Sequence, residues 1–262
     1  MTEHHNNIVS LSGGKDSTAM LLMMLERGES IHSAVFFDGG WEFPQMLEHI
    51  DRLEEYTGIK VTRLVADPTF DYWMYERPIV AKKGPMKGQV HRIGNGWPSG
   101  FRRWCTRQKV NAINRYNKTV ENPVQCIGYA DDEQKRVEKT TKACEPSGSC
   151  MCLYELDTKG RRVRFPLVEW GVTESAALEY CKARGFDWGG LYDHFHRVSC
   201  FCCPLQSLSE LRKLRTHYPD LWAKMLDMDS KVPGHNKGFH HYSTVHGLDK
   251  RFAEEETQQR LL

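Results

Sequence analysis

The 262-residue chain has no apolar run long enough to cross a bilayer: its longest, residues 19–25, falls far short of the roughly 20 residues a spanning helix needs. Residues 1–7 are polar, with no apolar stretch behind them of the kind a secretory leader carries, so a cytoplasmic setting and no membrane partner are expected. Charge of one sign is missing too. Thirty-six Lys and Arg against 34 Asp and Glu leave a net +2, which gives no overall electrostatic signature of a nucleic-acid protein. There is no internal repeat and no low-complexity tract. The nine cysteines are an odd number, which argues against a complete disulfide framework, and clustered thiols in a reducing compartment point to metal or catalysis first.

What is present is an alternation of apolar strands and helices in a chain long enough for one substantial α/β domain. Residues 8–11 are apolar and partly β-branched, residues 12–17 form a glycine-containing turn, and residues 18–25 are apolar on every face. A helix of that kind must be buried all round. Arg27 and Gly28 end it, and residues 31–37 form a second strand closing on Asp38, Gly39 and Gly40. Further helices are predicted at 44–56, 106–116, 173–184 and 207–228, and strands at 60–65, 124–128 and 163–168. The alternation predicts a parallel sheet covered by helices on both faces. Residues 76–104 carry Gly84, Pro85, Gly88, Gly94, Gly96, Pro98 and Gly100, and read as a long loop or lid; residues 233–246 are polar and irregular. Three regions result: an α/β core at 1–135 that carries the glycine-containing turn, a cysteine-bearing insertion at 136–162, and a mostly helical C-terminal portion at 163–262.

The strongest chemical signal is Ser12-Gly13-Gly14-Lys15-Asp16-Ser17, set between a buried strand and a buried helix. Backbone N–H groups and the positive end of a helix dipole converge at such a turn, where an anion can be held. The spacing is neither that of a Walker loop nor that of a dinucleotide fingerprint. Gly13 and Gly14 let the backbone close on phosphates, Lys15 can neutralise charge, Ser12 and Ser17 can donate hydroxyls, and Asp16 can help to hold Mg2+.

Residue for residue this loop resembles the pyrophosphatase loop of the adenine nucleotide α-hydrolase-like enzymes, which cleave ATP between its α and β phosphates. Over about residues 8–252 the chain resembles the phosphoadenosine phosphosulfate reductase family. After the loop come Phe37-Asp38-Gly39-Gly40-Trp41-Glu42-Phe43-Pro44, then Gly96-Trp97-Pro98 with Arg103-Trp104-Cys105-Thr106 and Lys109. Gly128 with Asp132, Glu133 and Arg136 follows, then Phe165-Pro166-Leu167, Trp170, Leu191-Tyr192, Arg197, Cys200, Cys203 and Pro204. The Trp-Cys-Thr and Cys-x-x-Cys-Pro pair is most similar to the branch associated with DNA phosphorothioation.

The resemblance implies a Rossmann-like five-stranded parallel sheet with a helical C-terminal portion. It also implies a nucleotide pocket from Ser10, Ser12, Gly13, Gly14, Ser17, Thr18, Phe37, Asp38, Gly39, Gly128, Asp132, Glu133 and Arg136, with Lys15, Asp16 and Ser17 acting on ATP. Two departures stand out. The assimilatory reductases place a nucleophilic cysteine in a C-terminal tail, whereas no cysteine follows Cys203 here, and Ala130 stands where some relatives carry arginine.

Cys200 and Cys203 can present two thiolates to one metal centre, and Cys105 can join them if the fold brings its helix over that turn. Three readings stay open: a [4Fe-4S] cluster with one iron free to carry sulfide, a Zn2+ site, or bare thiols. Cys202 is expected to point elsewhere. Cys144, Cys150 and Cys152 fit no trusted ligand spacing. His235, His240, His241 and His246 read as a solvated loop, and Trp41, Trp73, Trp97 and Trp104 as packing or an adenine-stacking group. Two arginine groups, Arg102, Arg103 and Arg107 and then Arg161, Arg162 and Arg164, are either solvated charge or phosphate contacts. The expected function is adenylation of a substrate so that sulfur replaces oxygen, on nucleic acid or a small molecule, with a sulfur donor protein as partner. A sulfonucleotide reductase with a thioredoxin-like reductant, and a non-catalytic nucleotide-sensing subunit, are the alternatives. Oligomeric state is not legible.

Overall fold

The computed structural model describes residues 5–141, 154–233, 238–240 and 243–260, which divide into two compact units. The first comprises Met1–Asp38, Phe43–Leu64 and Val110–Tyr192. Strands β1 (Asn6–Leu11), β2 (Ser33–Asp38) and β3 (Val61–Val65) precede a small hairpin, β4 (Pro78–Val80) and β5 (Val90–Ile93), that belongs to the second unit. After them come β6 (Pro123–Ile127), β7 (Glu155–Leu156) and β8 (Arg162–Arg164). The sheet of the first unit runs β3-β2-β1-β6-β8-β7. Strand β1 pairs in parallel with β2 and β6, and β6 with β8, in keeping with the α/β class read from the sequence.

The sheet has six strands rather than five, because β7 adds an antiparallel edge strand against β8. Residues 163–168 are not one strand. Strand β8 stops at Arg164 and a short helix, Pro166–Glu169, follows, since Pro166 has no N–H to continue a ladder.

Helix α1 (Lys15–Glu26) begins three residues earlier than its apolar pattern suggests, and it is buried on nearly all sides through Ala19, Met20, Leu21, Leu22 and Met24. Helix α2 (Pro44–Thr57) opens on a proline at N1, buries Met46, His49, Ile50 and Leu53 on one face, and stops at Gly58 in the left-handed conformation (φ 67°). From β1 the chain proceeds through α1 to β2 on one side and later returns with β6 on the other. The strand order therefore reverses between β1 and β6. Crevices at such switch points, outside the carboxyl ends of the strands, are where open α/β sheets bind ligands. Ser12, Asp38 and Gly128 all fall at those ends.

The second unit comprises Gly39–Glu42, Val65–Lys109 and Asp193–Leu262. Residues 76–104 are more ordered than a loop: β4 and β5 pair antiparallel around a turn in which Gly84 (φ 77°) and Gly88 (φ 85°) are both left-handed. Helix α3 (Trp104–Asn117) starts here and runs on into the first unit. The single helix expected at 207–228 is two, Leu208–His217 and Pro219–Lys231, because the residue before Pro219 is forced out of the helical region (Tyr218 φ −133°, ψ 60°). A last helix, Val245–Arg260, takes over the end of the segment read as irregular. Cys144, Cys150, Cys152, His235 and His241 lie outside the described residues. Among the described residues, no helix is long and apolar enough to cross a membrane.

Candidate active site

The loop at the end of β1 is closed by its own side chains. The Ser17 hydroxyl accepts from the Ser12 N–H (3.1 Å), lies 3.0 Å from the Ser12 hydroxyl and donates to the Gly14 carbonyl (3.1 Å). Gly13 needs its glycine: its φ is 79°, and a Cβ there would come within 2.5 Å of the Met46 sulfur. Gly14 is the N-cap of α1, so the first N–H groups of that helix lack intrahelical acceptors. Lys15 donates its N–H to the Tyr192 hydroxyl (2.8 Å), and Thr18 donates its own to the Gly14 carbonyl (3.0 Å). The N–H groups of Asp16 and Ser17 have no acceptor among the described residues. Two backbone donors at a helix N-terminus are thus left for an anion.

Lys15 is buried, with its ammonium 2.7 Å from Glu174 and 3.2 Å from both oxygens of Asp16. Burial is the main influence on Asp16 and raises its carboxyl above the usual range. Lys15 opposes this, while Glu174 and Glu133 add to it. Glu174 opens the helix Glu174–Lys182 after the N-cap Thr173, and its N–H is held by Asp132 at 3.1 Å. Glu133 pairs with Arg136, whose guanidinium lies 4.2 Å over the Tyr129 ring. Asp132, Glu133 and Arg136, expected at the nucleotide, therefore stand one contact away from Lys15 or Asp16, and Glu174 is the carboxylate that touches the lysine. Lys15 and Glu174 are 159 residues apart, so no local pattern could reveal the pair.

Three further residues brace the loop. Trp188, at the uncommon φ of 54°, donates its indole N–H to the Gly13 carbonyl at 2.7 Å. His49 meets the Thr18 hydroxyl at 2.9 Å and packs on Trp188; burial first, then Arg52, lowers its pKa to about 4, so it is neutral. The thiol of Cys181 donates to the Lys15 carbonyl (3.6 Å) and is pushed up to about 12, chiefly by burial. Gly128, just after β6, leaves no room for a side chain, since its Cβ would stand 3.0 Å from the backbone of Ser17. Ser10 is turned to its neighbouring strand and accepts from Gln125 at 2.9 Å. Phe37 and Asp38 end β2.

The cysteine turn belongs to the second unit. Residue Glu42 bridges Cys200, the Phe201 N–H donates to the Trp41 carbonyl (3.0 Å), and Gln206 holds the carbonyls of Cys200 and Phe201. Glu42 also accepts from the N–H groups of Gly39 and Trp41, both at 3.0 Å. Cys105 lies in the first turn of α3 behind Trp104, which packs on Trp41 and Phe70. Burial raises the thiols of Cys105, Cys200 and Cys203. The charge of Cys105 also bears on Cys200 and on Cys203, so the three lie within electrostatic range of one another. Cys202 is buried. Among the described residues, no group of three or more His, Cys, Asp or Glu side chains is arranged to hold a metal ion.

A strand-to-helix turn with free amides and a buried lysine, at the switch point of a mostly parallel sheet, has the geometry in which α/β folds can hold an anion. Residues 6–206 match the phosphoadenosine phosphosulfate reductase domain, and the chain belongs to that family. It is 23% identical over 231 residues to an uncharacterized protein of Methanocaldococcus jannaschii, covering 83% of this chain and 40% of that protein. An uncharacterized 37.8 kDa protein of Escherichia phage 186 is 26% identical over 255 residues, covering 86% of this chain and 75% of the phage protein. A second uncharacterized M. jannaschii protein is 22% identical, over 84% of this chain and 46% of its own length. The chain thus spans less than half the length of its two archaeal relatives. A crystal structure of phosphoadenylyl-sulfate (PAPS) reductase from Candida auris, a phosphate complex, aligns with a TM-score of 0.48 at 14% identity, covering 76% of this chain and 83% of that one.

Proposed function

We propose that the chain binds ATP with Mg2+ on the loop from Ser12 to Ser17 and adenylates an acceptor destined for sulfur transfer. An acceptor oxygen attacks the α-phosphorus, the bond to the bridging oxygen breaks, and pyrophosphate leaves. The acceptor then carries AMP, a good leaving group for a sulfur nucleophile from a donor protein. The observation that carries the reading is the pair of free amides at Asp16 and Ser17 beside the buried ammonium of Lys15. Lys15 would offset charge on the leaving pyrophosphate, and Asp16 is the nearest carboxylate for the Mg2+ that arrives with ATP. The test is to incubate the chain with α-labelled ATP, Mg2+ and candidate acceptors. AMP and pyrophosphate are expected; ADP, or no turnover with any acceptor, overturns the reading.

A second reading has one observation in its favour, the family itself. A preformed adenylyl sulfate in the same pocket would be reduced with a thioredoxin-like partner, using a thiol among Cys105, Cys200 and Cys203 because none follows Cys203. Sulfite release from adenylyl sulfate separates the two. The same three cysteines are the residues a [4Fe-4S] cluster or Zn2+ would use. As they stand they do not form a metal-holding group. Iron, sulfide and zinc analysis after anaerobic purification decides between cluster, zinc and bare thiols.

A further inference from the structure

Residues 77–109 contain nine Lys and Arg and no Asp or Glu, leaving 27 basic against 34 acidic residues in the rest of the chain. All of this segment up to Lys109 lies in the second unit, as the β4–β5 hairpin, the loop after it and the start of α3. Elsewhere several arginines are neutralised: Arg63 by Asp51 and Glu54, Arg164 by Glu29 and Glu169, Arg212 by Glu255, and Arg215 by Asp249 and Glu256. Among the described residues, Lys82, Lys83, Lys87, Arg102, Arg103 and Arg107 have no carboxylate within ion-pair distance, and all six are exposed. Like charge gathers instead, since Arg102 lowers the pKa of Arg92, though burial of Arg92 does so more.

Apolar side chains stand exposed among these cations. Phe101 is fully exposed (102%), and Val80, Met86, Val90 and Ile93 are each exposed by 45–50%. A concavity on the hairpin is lined by Ile79, Val80, Lys82, Lys83, Met86 and His91. Cations that are not self-neutralised select a polyanion, and the fully exposed Phe101 ring beside Arg102 and Arg103 selects one with exposed ring faces on which it can stack, the aliphatic groups adding apolar contact. A duplex hides its base faces. A membrane would want the apolar groups gathered at one projecting edge, whereas here they are spread along both strands of the hairpin and on to Phe101.

We infer that the surface formed by residues 77–109 is a docking site for single-stranded nucleic acid, with the lysines of the hairpin and Arg102, Arg103 and Arg107 on phosphates and Phe101 stacked on a base. Arg103 lies close enough to Cys105 and Cys203 to lower both thiols, so the arginine end of this path runs beside the cysteine turn. The site does not depend on ATP chemistry at the Ser12 loop, so failure of either idea leaves the other standing.

The test is fluorescence anisotropy with labelled DNA and RNA strands of about 12 nucleotides, the corresponding duplex, and flotation with phosphatidylserine-containing vesicles, all without ATP. Single strands should bind, and binding should weaken by an order of magnitude or more as salt rises from about 50 to about 200 mM. Lys82→Glu/Lys83→Glu/Lys87→Glu, and separately Arg102→Glu/Arg103→Glu, should each weaken it by about tenfold or more. Phe101→Ala should cost about fivefold or more through lost stacking. Lys82→Gln/Lys83→Gln/Lys87→Gln, checked by circular dichroism, guards against misfolding and should also weaken binding. No binding at low salt, binding indifferent to these changes, or a preference for duplex or vesicles would overturn the inference.

Discussion

The Ser12 loop of the first unit and the hairpin segment of the second handle charge in opposite ways. Around the Ser12 loop, every charged side chain has a nearby partner of opposite sign or a hydrogen bond: Lys15 with Asp16 and Glu174, Glu133 with Arg136, Asp132 with a backbone N–H. In the hairpin segment of the second unit, exposed cations stand beside one another with no carboxylate among them. A neutralised buried group can be held in one geometry and aimed at a reacting atom, because its desolvation is already offset. Unneutralised exposed cations serve a partner that brings its own charge, and need no fixed geometry to do so.

The sharpest way to break this contrast is Lys15→Ala. Loss of the buried ammonium beside the loop should lower AMP and pyrophosphate formation by about 10²- to 10³-fold while the fold persists by circular dichroism. A drop of less than about tenfold would show that the paired lysine is structural only.

The second largest effect is on pH dependence. His49 titrates near 6.5 when unfolded but at about 4 in the folded chain. The unfolded chain therefore binds more protons between those values, so the contribution is complete above about pH 6.5 and is lost as pH falls toward 4. The loss is on the order of 3 kcal/mol at most. Urea midpoints at pH 7 and pH 4.5 should fall further for the wild type than for His49→Gln; parallel falls would rule this out.

Smaller still is the cost of filling space. Gly128→Ala should destabilise by about 1–3 kcal/mol because the Ser17 backbone must move. Gly100→Ala in the second unit meets nothing within 4 Å and should be near neutral, so equal thermal shifts would deny the close contact at the loop. The smallest expected effect is on thiol chemistry. Cys105, Cys200 and Cys203, raised by burial, should react with iodoacetamide at pH 7 several-fold more slowly than a free cysteine, measured by mass spectrometry. Fast labelling of any of them would mean that the turn is open.

What the sequence made legible was what short-range pattern controls. The Ser12 loop, its flanking strand and the buried helix follow from contiguous residues, and so did the capped starts at Thr173 and Ser207. The edge strand β7 has only two residues, too few for any alternation to register. The break at Tyr218 was readable from Pro219, but the apolar spacing runs unbroken across it. Glu174, Trp188 and His49 escaped because each reaches the loop from a distant part of the chain. Of the two arginine groups, Arg161 and Arg164 proved to be ion-paired, with Asp157 and with Glu29 and Glu169, while Arg102, Arg103 and Arg107 did not. Sequence alone treats the two groups alike.

The acid-free segment also bears on how the molecule behaves on a column. An isoelectric point near 8.0 suggests a nearly indifferent solute just below that pH. Resins respond to local charge density rather than to the sum, and residues 77–109 carry nine Lys and Arg with no acidic residue in the segment. The chain should therefore stay on a sulfonate resin at and somewhat above its isoelectric pH, and should elute at a salt concentration that drops when Lys82, Lys83 and Lys87 are replaced by glutamine.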